Sequence, residues 1–387
     1  MNIKKTLRVM CVLFLIIFMF SCPVFSEVFI NEQETFAIDF PEGFAILQND
    51  GDDSFHFRHT QLPVDTILRI YPLSRYTKAS EAMDGVMKQL KAECSHQELI
   101  WRNSVCCLGT FNFNNKQNEG WAFSVELPLE KGILVLLVYT QMQFSKQLAQ
   151  FQVSILDSLA IDRGSFYSPG PVTTYAYPSE GDKIQKISIA GIEIETQIGI
   201  ADEEACRFVI EREYAVLSMY VQSKMRDAAW QRYYKMIYRD SYSRFRKPAF
   251  DIYNALFPLA LKQNSENPDF SFVQMLLSWT QDFEYTRDRA NSDFSPLPVV
   301  FANGGSDCDS RAMLLSVLLS HMNYKTMLFI SPEYQHALFG IAIDGKGARL
   351  KVGDTNYLLG ETTAKVALGL VPAEMSDIKK WLPMLGE

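Results

Sequence analysis

Apolar and polar residues alternate from Thr35 to Phe40, and the run from Thr66 to Tyr71 also reads as a strand. Period-two patterning of this kind predicts strands, and Pro41 and Gly43 supply a turn after the first. Two further runs, Gly120–Val125 and Gly132–Tyr139, are rich in Val, Leu and aromatic residues and also predict strands. The period changes to that of a helix over Lys78–Ala92, with Ala82, Met83, Val86 and Leu90 on one face, and Phe144–Leu159 predicts a closing helix. Residues 27–163 therefore predict an α+β domain, a helix packed on an antiparallel sheet. Residues 164–182 hold Gly164, Pro169, Gly170, Pro171, Pro178 and Gly181, a density of breakers that predicts a linker. Residues 183–387 open on a hairpin, Ile187–Ile189 and Ile192–Ile194, turning at Ala190-Gly191. No glycine occurs from Ile200 to Asn303, which predicts a mostly helical stretch, with Asp202 as an N-cap ahead of Glu203 and Glu204.

Within that stretch Lys224–Lys247 carries eight basic residues, interleaved with aromatics. Such interleaving is one signature of nucleic-acid binding. Trp230, Tyr234, Tyr238 and Tyr242 step by four, however, so they line one helical face, and a buried aromatic stripe with a basic outer face explains the segment without a nucleic-acid ligand. The 387-residue chain has a net charge of −8, which argues in the same direction.

The N-terminus changes the compartment. Lys4, Lys5 and Arg8 precede Val9–Phe20, an unbroken run of 12 apolar residues. That run is short for a membrane span and suits a signal peptide, with Val24 and Ser26 framing a cleavage site before Glu27. The chain is expected to be exported, periplasmic or secreted. Left uncleaved, residues 1–26 would tether it to a membrane. Acylation at Cys22 would do the same, although Met19-Phe20-Ser21 matches a lipoprotein signal poorly. Removing the leader takes away three bases and no acid, so the net charge moves from −8 to −11. Cys11 and Cys22 leave with it. Cys94, Cys106, Cys107, Cys206 and Cys308 remain, which permits two disulfides and one free thiol, with no pairing assignable. His56, His59 and His96 have no carboxylate-rich partner helix, and no metal is expected on them.

The segment Gly304-Gly305-Ser306-Asp307-Cys308-Asp309-Ser310-Arg311 leads into an apolar helix. Ser306 or Asp307 can cap it, which puts Cys308 at the helix N-terminus. Unpaired backbone N–H groups there favour a thiolate and can bind a developing oxyanion. A base is also needed. His321 lies 13 residues along the same helix, roughly 20 Å away at 1.5 Å per residue. His336 opens a strand-like run, Ala337–Ile343, that can hold an imidazole against the helix start. A carboxylate should orient the ring, and Asp354 and Glu361 both follow.

The order Cys, His, acid, with Asp-Cys-Asp-x-Arg at a helix start and His-Ala opening a strand, resembles the transglutaminase-like superfamily of papain-fold cysteine enzymes. The resemblance runs from about residue 272 to 372. It implies that the acid strand reads aromatic-x-x-x-acid-x-Thr, which Tyr357 to Thr363 matches and the Asp354 stretch does not, so it favours Glu361. It also implies that Gln281, on the helix before the nucleophile, donates its amide to the oxyanion hole. Two departures are Ser306 where the family has glycine and Glu361 where it has aspartate. The N-terminal segment resembles the small α+β domain of PsbP, in its opening strand-turn and its closing helix with Ile155-Leu156-Asp157-Ser158-Leu159. The resemblance implies a Cys308–His336–Glu361 enzyme that hydrolyses a peptide or amide bond in a peptide, protein or cell-wall substrate, with no metal or organic cofactor. Glutamine acyl transfer and a non-catalytic scaffold that keeps the fold are the alternatives.

Overall fold

The computed structural model describes residues 24–25, 28–31, 36–113, 115–287, 292–375 and 377–385. Apart from Val24 and Phe25, the leader expected over 1–26 lies outside the described residues. The chain has an α+β fold. Its first part contains β1 (Val24–Phe25), β2 (Phe29–Asn31), β3 (Phe36–Ile38), β4 (Phe44–Asn49), β5 (Ser54–His59) and β6 (Val64–Tyr71). There follow α1 (Ala79–Leu90), β7 (Gln97–Leu99), β8 (Ser104–Phe113), β9 (Lys116–Glu126), β10 (Ile133–Gln141) and α2 (Ser145–Asp157). Eight strands form one sheet in the order β1-β4-β5-β6-β10-β9-β8-β7, antiparallel throughout. β10 is buried along both faces, because α1 covers one and α2 the other. Its continuous apolar run is what a strand covered on both faces requires.

The stretch expected to be a linker is ordered and packed. It forms α3 (Arg163–Phe166) and α4 (Pro171–Ala176). Asp162 caps α3 by accepting from the Ser165 N–H at 2.6 Å. Asp157, at the end of α2, accepts from the Val172 N–H at 2.6 Å and from the Thr173 hydroxyl at 2.5 Å. A Cβ at Gly170 would lie 2.4 Å from the Asp157 carbonyl oxygen. The breakers here act as helix starts and a close backbone approach, since proline suits a first helical turn and glycine fits where two backbones meet.

Beyond it, β11 (Asp182–Ile189) and β12 (Ile192–Gly199) form the expected hairpin, with Ala190 and Gly191 both at positive φ, 51° and 78°. Helices α5 (Asp202–Ser218), α6 (Arg226–Tyr242), α7 (Arg246–Gln263), α8 (Pro268–Gln281), α9 (Leu297–Phe301) and α10 (Cys308–His321) follow. Strands β13 (Thr326–Ser331), β14 (His336–Ile341), β15 (Arg349–Val352), β16 (Thr355–Gly360) and β17 (Leu382–Pro383) close the chain as an antiparallel sheet ordered β15-β16-β14-β13-β17. Helix α10 is buried at every residue from Cys308 to Leu319, consistent with a stretch that is apolar from Ala312 to Leu319 apart from Ser316. One continuous apolar core runs from Phe36 in β3 to Leu385. No helix among the described residues is long and apolar enough to cross a membrane.

The outer face of α6 is not the basic surface expected. Arg232 and Arg239 are buried, at 4% and 8% exposure. Arg232 donates to Glu213 at 2.8 Å and to the Asp39 carbonyl. Arg239 donates to the carbonyls of Leu159 and Ser165. Arg212 on α5 pairs with Glu213 at 2.7 Å and with Asp157. These cations fasten the helical region to the end of β3 and to the closing helix α2 and the segment after it. Arg226 at the start of α6 stays exposed, but Arg232 and Arg239 lie where the helix is packed against other elements and so must find buried acceptors.

Candidate functional site

Asp307 is the N-cap of α10 and accepts from the Ser310 N–H at 3.2 Å and the Ser310 hydroxyl at 2.5 Å. The preceding chain is held by a short parallel pairing, with Ser306 N–H on the Glu284 carbonyl and Thr286 N–H on the Ser306 carbonyl. Gly305 sits at φ 94°, and a Cβ there would meet the Thr286 hydroxyl at 2.6 Å. Glycine is required at this turn, and the turn fixes where the helix begins. Cys308 is its first residue, 8% exposed. Its sulfur receives the backbone N–H groups of Asp309 and Ala337.

Ala337 is the residue after His336 on β14, so this hydrogen bond brings the thiol to the foot of His336. His336 Nε2 meets Glu361 Oε2 at 2.6 Å. The other carboxylate oxygen, Oε1, accepts from the Thr363 N–H at 2.7 Å and the Thr363 hydroxyl at 2.6 Å. Glu361 lies just beyond β16 and is 2% exposed. With Nε2 donating to the carboxylate, Nδ1 is the basic nitrogen. Asp354 lies in the exposed β15–β16 turn, at the other end of that strand. His321 bonds the Tyr242 carbonyl at the far end of α10.

Gln281 has another duty than the one expected. Its side-chain amide donates to the carbonyls of Glu361, at 2.8 Å, and Val366, at 2.9 Å. Both amide hydrogens are thereby committed, and Gln281 braces the segment that carries the acid. In the first turn of α10 the Ser310 N–H is held by Asp307, the Arg311 N–H by the Asp307 carbonyl and the Asp309 N–H by the sulfur, which leaves the Cys308 N–H as the donor for an oxyanion.

Two residues enter the site with roles that sequence reasoning missed. Arg311, 1% exposed, donates to the Ser306 hydroxyl at 3.0 Å, the Thr362 carbonyl at 3.1 Å and the Phe283 carbonyl at 2.9 Å. It clamps the helix start, the preceding loop and the acid segment together. Its position in Asp-Cys-Asp-x-Arg was the available signal. Trp381 packs 6.4 Å from the His336 ring and donates its indole N–H to the Met375 carbonyl. It lies 45 positions beyond His336 in the chain, and no local pattern marks it.

The electrostatics oppose a resting thiolate. Burial pushes the Cys308 thiol up, the charges of Asp309 and Asp307 push it further, and the two N–H groups at the sulfur only partly counter them. Asp307 is itself raised, to about 10, by burial and then by Asp309. Glu361 runs the other way. Burial would raise it, but His336 and Thr363 more than offset that and hold it below the ordinary carboxylate range. Asp309 accepts a 2.6 Å hydrogen bond from Tyr234 of α6. Elsewhere, His56 pairs with Asp65 and His96 with Asp84, and among the described residues no group of three His, Cys, Asp or Glu side chains could hold a metal.

No protein-family model matches the sequence, and no curated protein does. Solved structures with a detectable likeness include a cyanobacterial PsbP protein, CyanoP, from Synechocystis sp. PCC 6803. It is 11% identical, over 35% of this chain and 91% of that one, with a TM-score of 0.29. LpqN, involved in cell envelope biogenesis of Mycobacterium tuberculosis, is 13% identical over 33% of this chain and 83% of its own, with a TM-score of 0.25. A protein of Bacteroides thetaiotaomicron VPI-5482 is 9% identical over 76% of this chain and 98% of its own, with a TM-score of 0.26. None of the three is described as transglutaminase-like, and scores this low decide nothing about activity.

Proposed function

We propose that the protein is an exported thiol hydrolase of transglutaminase-like type, acting on an amide or peptide bond in a peptide, protein or cell-wall substrate. One observation carries the reading: a cysteine opening a helix, hydrogen-bonded to the backbone beside a histidine whose far nitrogen rests on a buried glutamate. Because the thiol rests protonated, His336 acts first as general base. Nδ1 takes the Cys308 proton as the sulfur attacks the carbonyl carbon, and the Cys308 N–H at the start of α10 receives the developing oxyanion. The C–N bond then breaks, the imidazolium gives its proton to the leaving amine, and an acyl thioester remains. Water, deprotonated by the same imidazole, attacks the thioester and returns the thiol. Glu361 holds the ring in the required tautomer and stabilises the imidazolium.

The test is digestion of a peptide and cell-wall fragment library by wild type and Cys308→Ala, with products read by mass spectrometry. Cleavage by wild type that vanishes in the variant is the expected result, and equal cleavage by both sinks the mechanism. A labelled amine in the same reaction separates hydrolysis from acyl transfer. The non-catalytic alternative draws on one observation, the low exposure of Cys308 between two aspartates. It predicts that iodoacetamide labels Cys308 no faster than it labels the thiol of a short peptide.

A further inference from the structure

We propose that Cys94 and Cys107 are a disulfide pair, closed by thiol–disulfide exchange with a disulfide-bearing oxidant. Their sulfurs stand 3.0 Å apart. A covalent bond needs about 2.05 Å, so an approach of about 1 Å joins them. The local backbone explains why they meet. Glu93 and Thr110 form an antiparallel bridge, which sets Cys94 opposite Gly109. A Cβ at Gly109 would fall 2.7 Å from the Cβ of Cys94. The missing side chain lets Cys94 lean across to Cys107, two residues away on the same face of β8.

The other cysteines stand apart. Cys106 is the next residue on β8 and faces the opposite core. Cys206 is buried on α5 with its thiol on Asp240 at 3.5 Å. Cys308 opens α10. Cys94 is partly exposed, whereas Cys107 is buried with its sulfur also 3.9 Å from that of Met83. Exchange therefore starts at Cys94. Its thiolate attacks the oxidant's disulfide and displaces one thiolate of the oxidant, leaving a mixed disulfide. Cys107, losing its proton, then attacks the Cys94 sulfur and expels the second oxidant thiolate. One disulfide in the protein is made, one in the oxidant is reduced to two thiols, and the two protein protons end on those thiols.

The bond would close the segment 94–107, which contains β7. That three-residue strand is one edge of the eight-stranded sheet and, among the described residues, pairs with β8 alone. Stapling its base to the next strand protects an edge that short pairing leaves open. The export reading supplies the oxidant in the cell, but glutathione disulfide supplied in vitro tests the pairing without it.

The experiment uses the full chain, incubated with glutathione disulfide, unfolded in iodoacetamide and digested without reduction. A cross-linked peptide joining Cys94 to Cys107 is expected, lost in Cys94→Ser and retained in Cys206→Ser and Cys308→Ser. The melting temperature of the oxidised protein should fall by roughly 5 °C on reduction, and Cys94→Ser should melt at the reduced value under both conditions. Cys94→Ser carries this arm if substitution of the buried Cys107 prevents folding. Alkylation of both cysteines in the oxidised wild type overturns the proposal. So does a stable glutathione adduct on Cys94, or a cross-link from it to another cysteine.

Discussion

Glu361→Gln is the sharpest perturbation of the site, because it preserves shape while removing the charge and turning one acceptor into a donor. In the structure Oε1 takes two hydrogens from Thr363 and Oε2 takes one from His336 Nε2. A glutamine can keep its carbonyl on Thr363 only by turning its NH2 toward His336, donor against donor. It can keep the His336 contact only by turning its NH2 against two donors. Either choice breaks a charge-assisted hydrogen bond at 2.6 Å in a buried setting. Such bonds contribute about 1.5–3 kcal/mol, which corresponds to about a 10- to 150-fold change in a rate that depends on them. Alkylation of Cys308 by iodoacetamide at neutral pH is a suitable readout, since it requires no substrate and needs the proton that His336 removes. The second-order rate, followed by intact mass, should drop by that factor in Glu361→Gln and stay unchanged in Asp354→Asn. Thermal melting confirms that the variant is folded. Equal labelling rates for wild type and a folded Glu361→Gln would refute the coupling of the three residues.

Asp309→Asn should speed the same alkylation by on the order of tenfold, because the variant removes a like charge beside the sulfur while Tyr234 can still donate to the amide oxygen. Slower or unchanged labelling would show that the aspartate does not restrain the thiol. Gln281→Leu leaves the Glu361 and Val366 carbonyls without their donor, and urea unfolding should register a loss of about 2 kcal/mol together with slower alkylation. Asp157→Asn breaks the buried pair with Arg212 and should cost about 3–5 kcal/mol in the same assay. His59 offers a pH test. Burial holds it near 4 against an ordinary 6.5, and its Nδ1 accepts from the Gln61 and Leu62 N–H groups. As pH falls below 6.5 the unfolded chain takes up a proton that the folded chain refuses until about 4. Stability is therefore present above 6.5 and lost through that window. Between pH 7 and pH 5 wild type should lose about 2 kcal/mol more than His59→Gln in urea unfolding, and equal losses would assign the pH dependence to other groups.

Periodicity found the strands and helices wherever one face was buried and one was wet. β6, α1 and α2 each fall within two residues of the segment expected. It failed where the environment is buried all round. Arg232 and Arg239 of α6 sit on a helical pattern that reads as a solvated basic face, yet each meets an acceptor brought from elsewhere in the chain, such as Asp39 or Leu159. Long-range partners of that kind leave no local signature. The breakers of residues 164–182 misled for a related reason. Glycine and proline mark a departure from regular structure, but helix starts and close packing need the same residues as a loose linker does. At the site, Cys308 and His336 were legible because a capped turn and a strand start are local features. The choice between Glu361 and Asp354 needed the family resemblance. The hydrogen-bonding duty of Gln281 depends on carbonyls 80 and 85 positions away and was not legible at all.

The two-stranded β2–β3 sheet and the candidate site are linked through three consecutive residues of α6. Arg232 donates to the Asp39 carbonyl, just after β3, and to Glu213. Tyr233 bonds Ser292 ahead of α9. Tyr234 donates to Asp309, the residue after the candidate nucleophile. Successive helical side chains diverge by about 100°, so Arg232 and Tyr234 project to nearly opposite sides. One turn of helix thus reaches the end of the β2–β3 sheet with one side chain and the thiol's neighbouring carboxylate with another. The acceptor of Tyr234 is the carboxylate whose charge is the largest effect, after burial, holding the Cys308 proton in place. A shift of α6 against the sheet would move that hydroxyl, and with it the charge that the thiol must work against. The N-terminal part is therefore in hydrogen-bond contact, through α6, with the carboxylate beside Cys308, and is not an independent module joined by a tether.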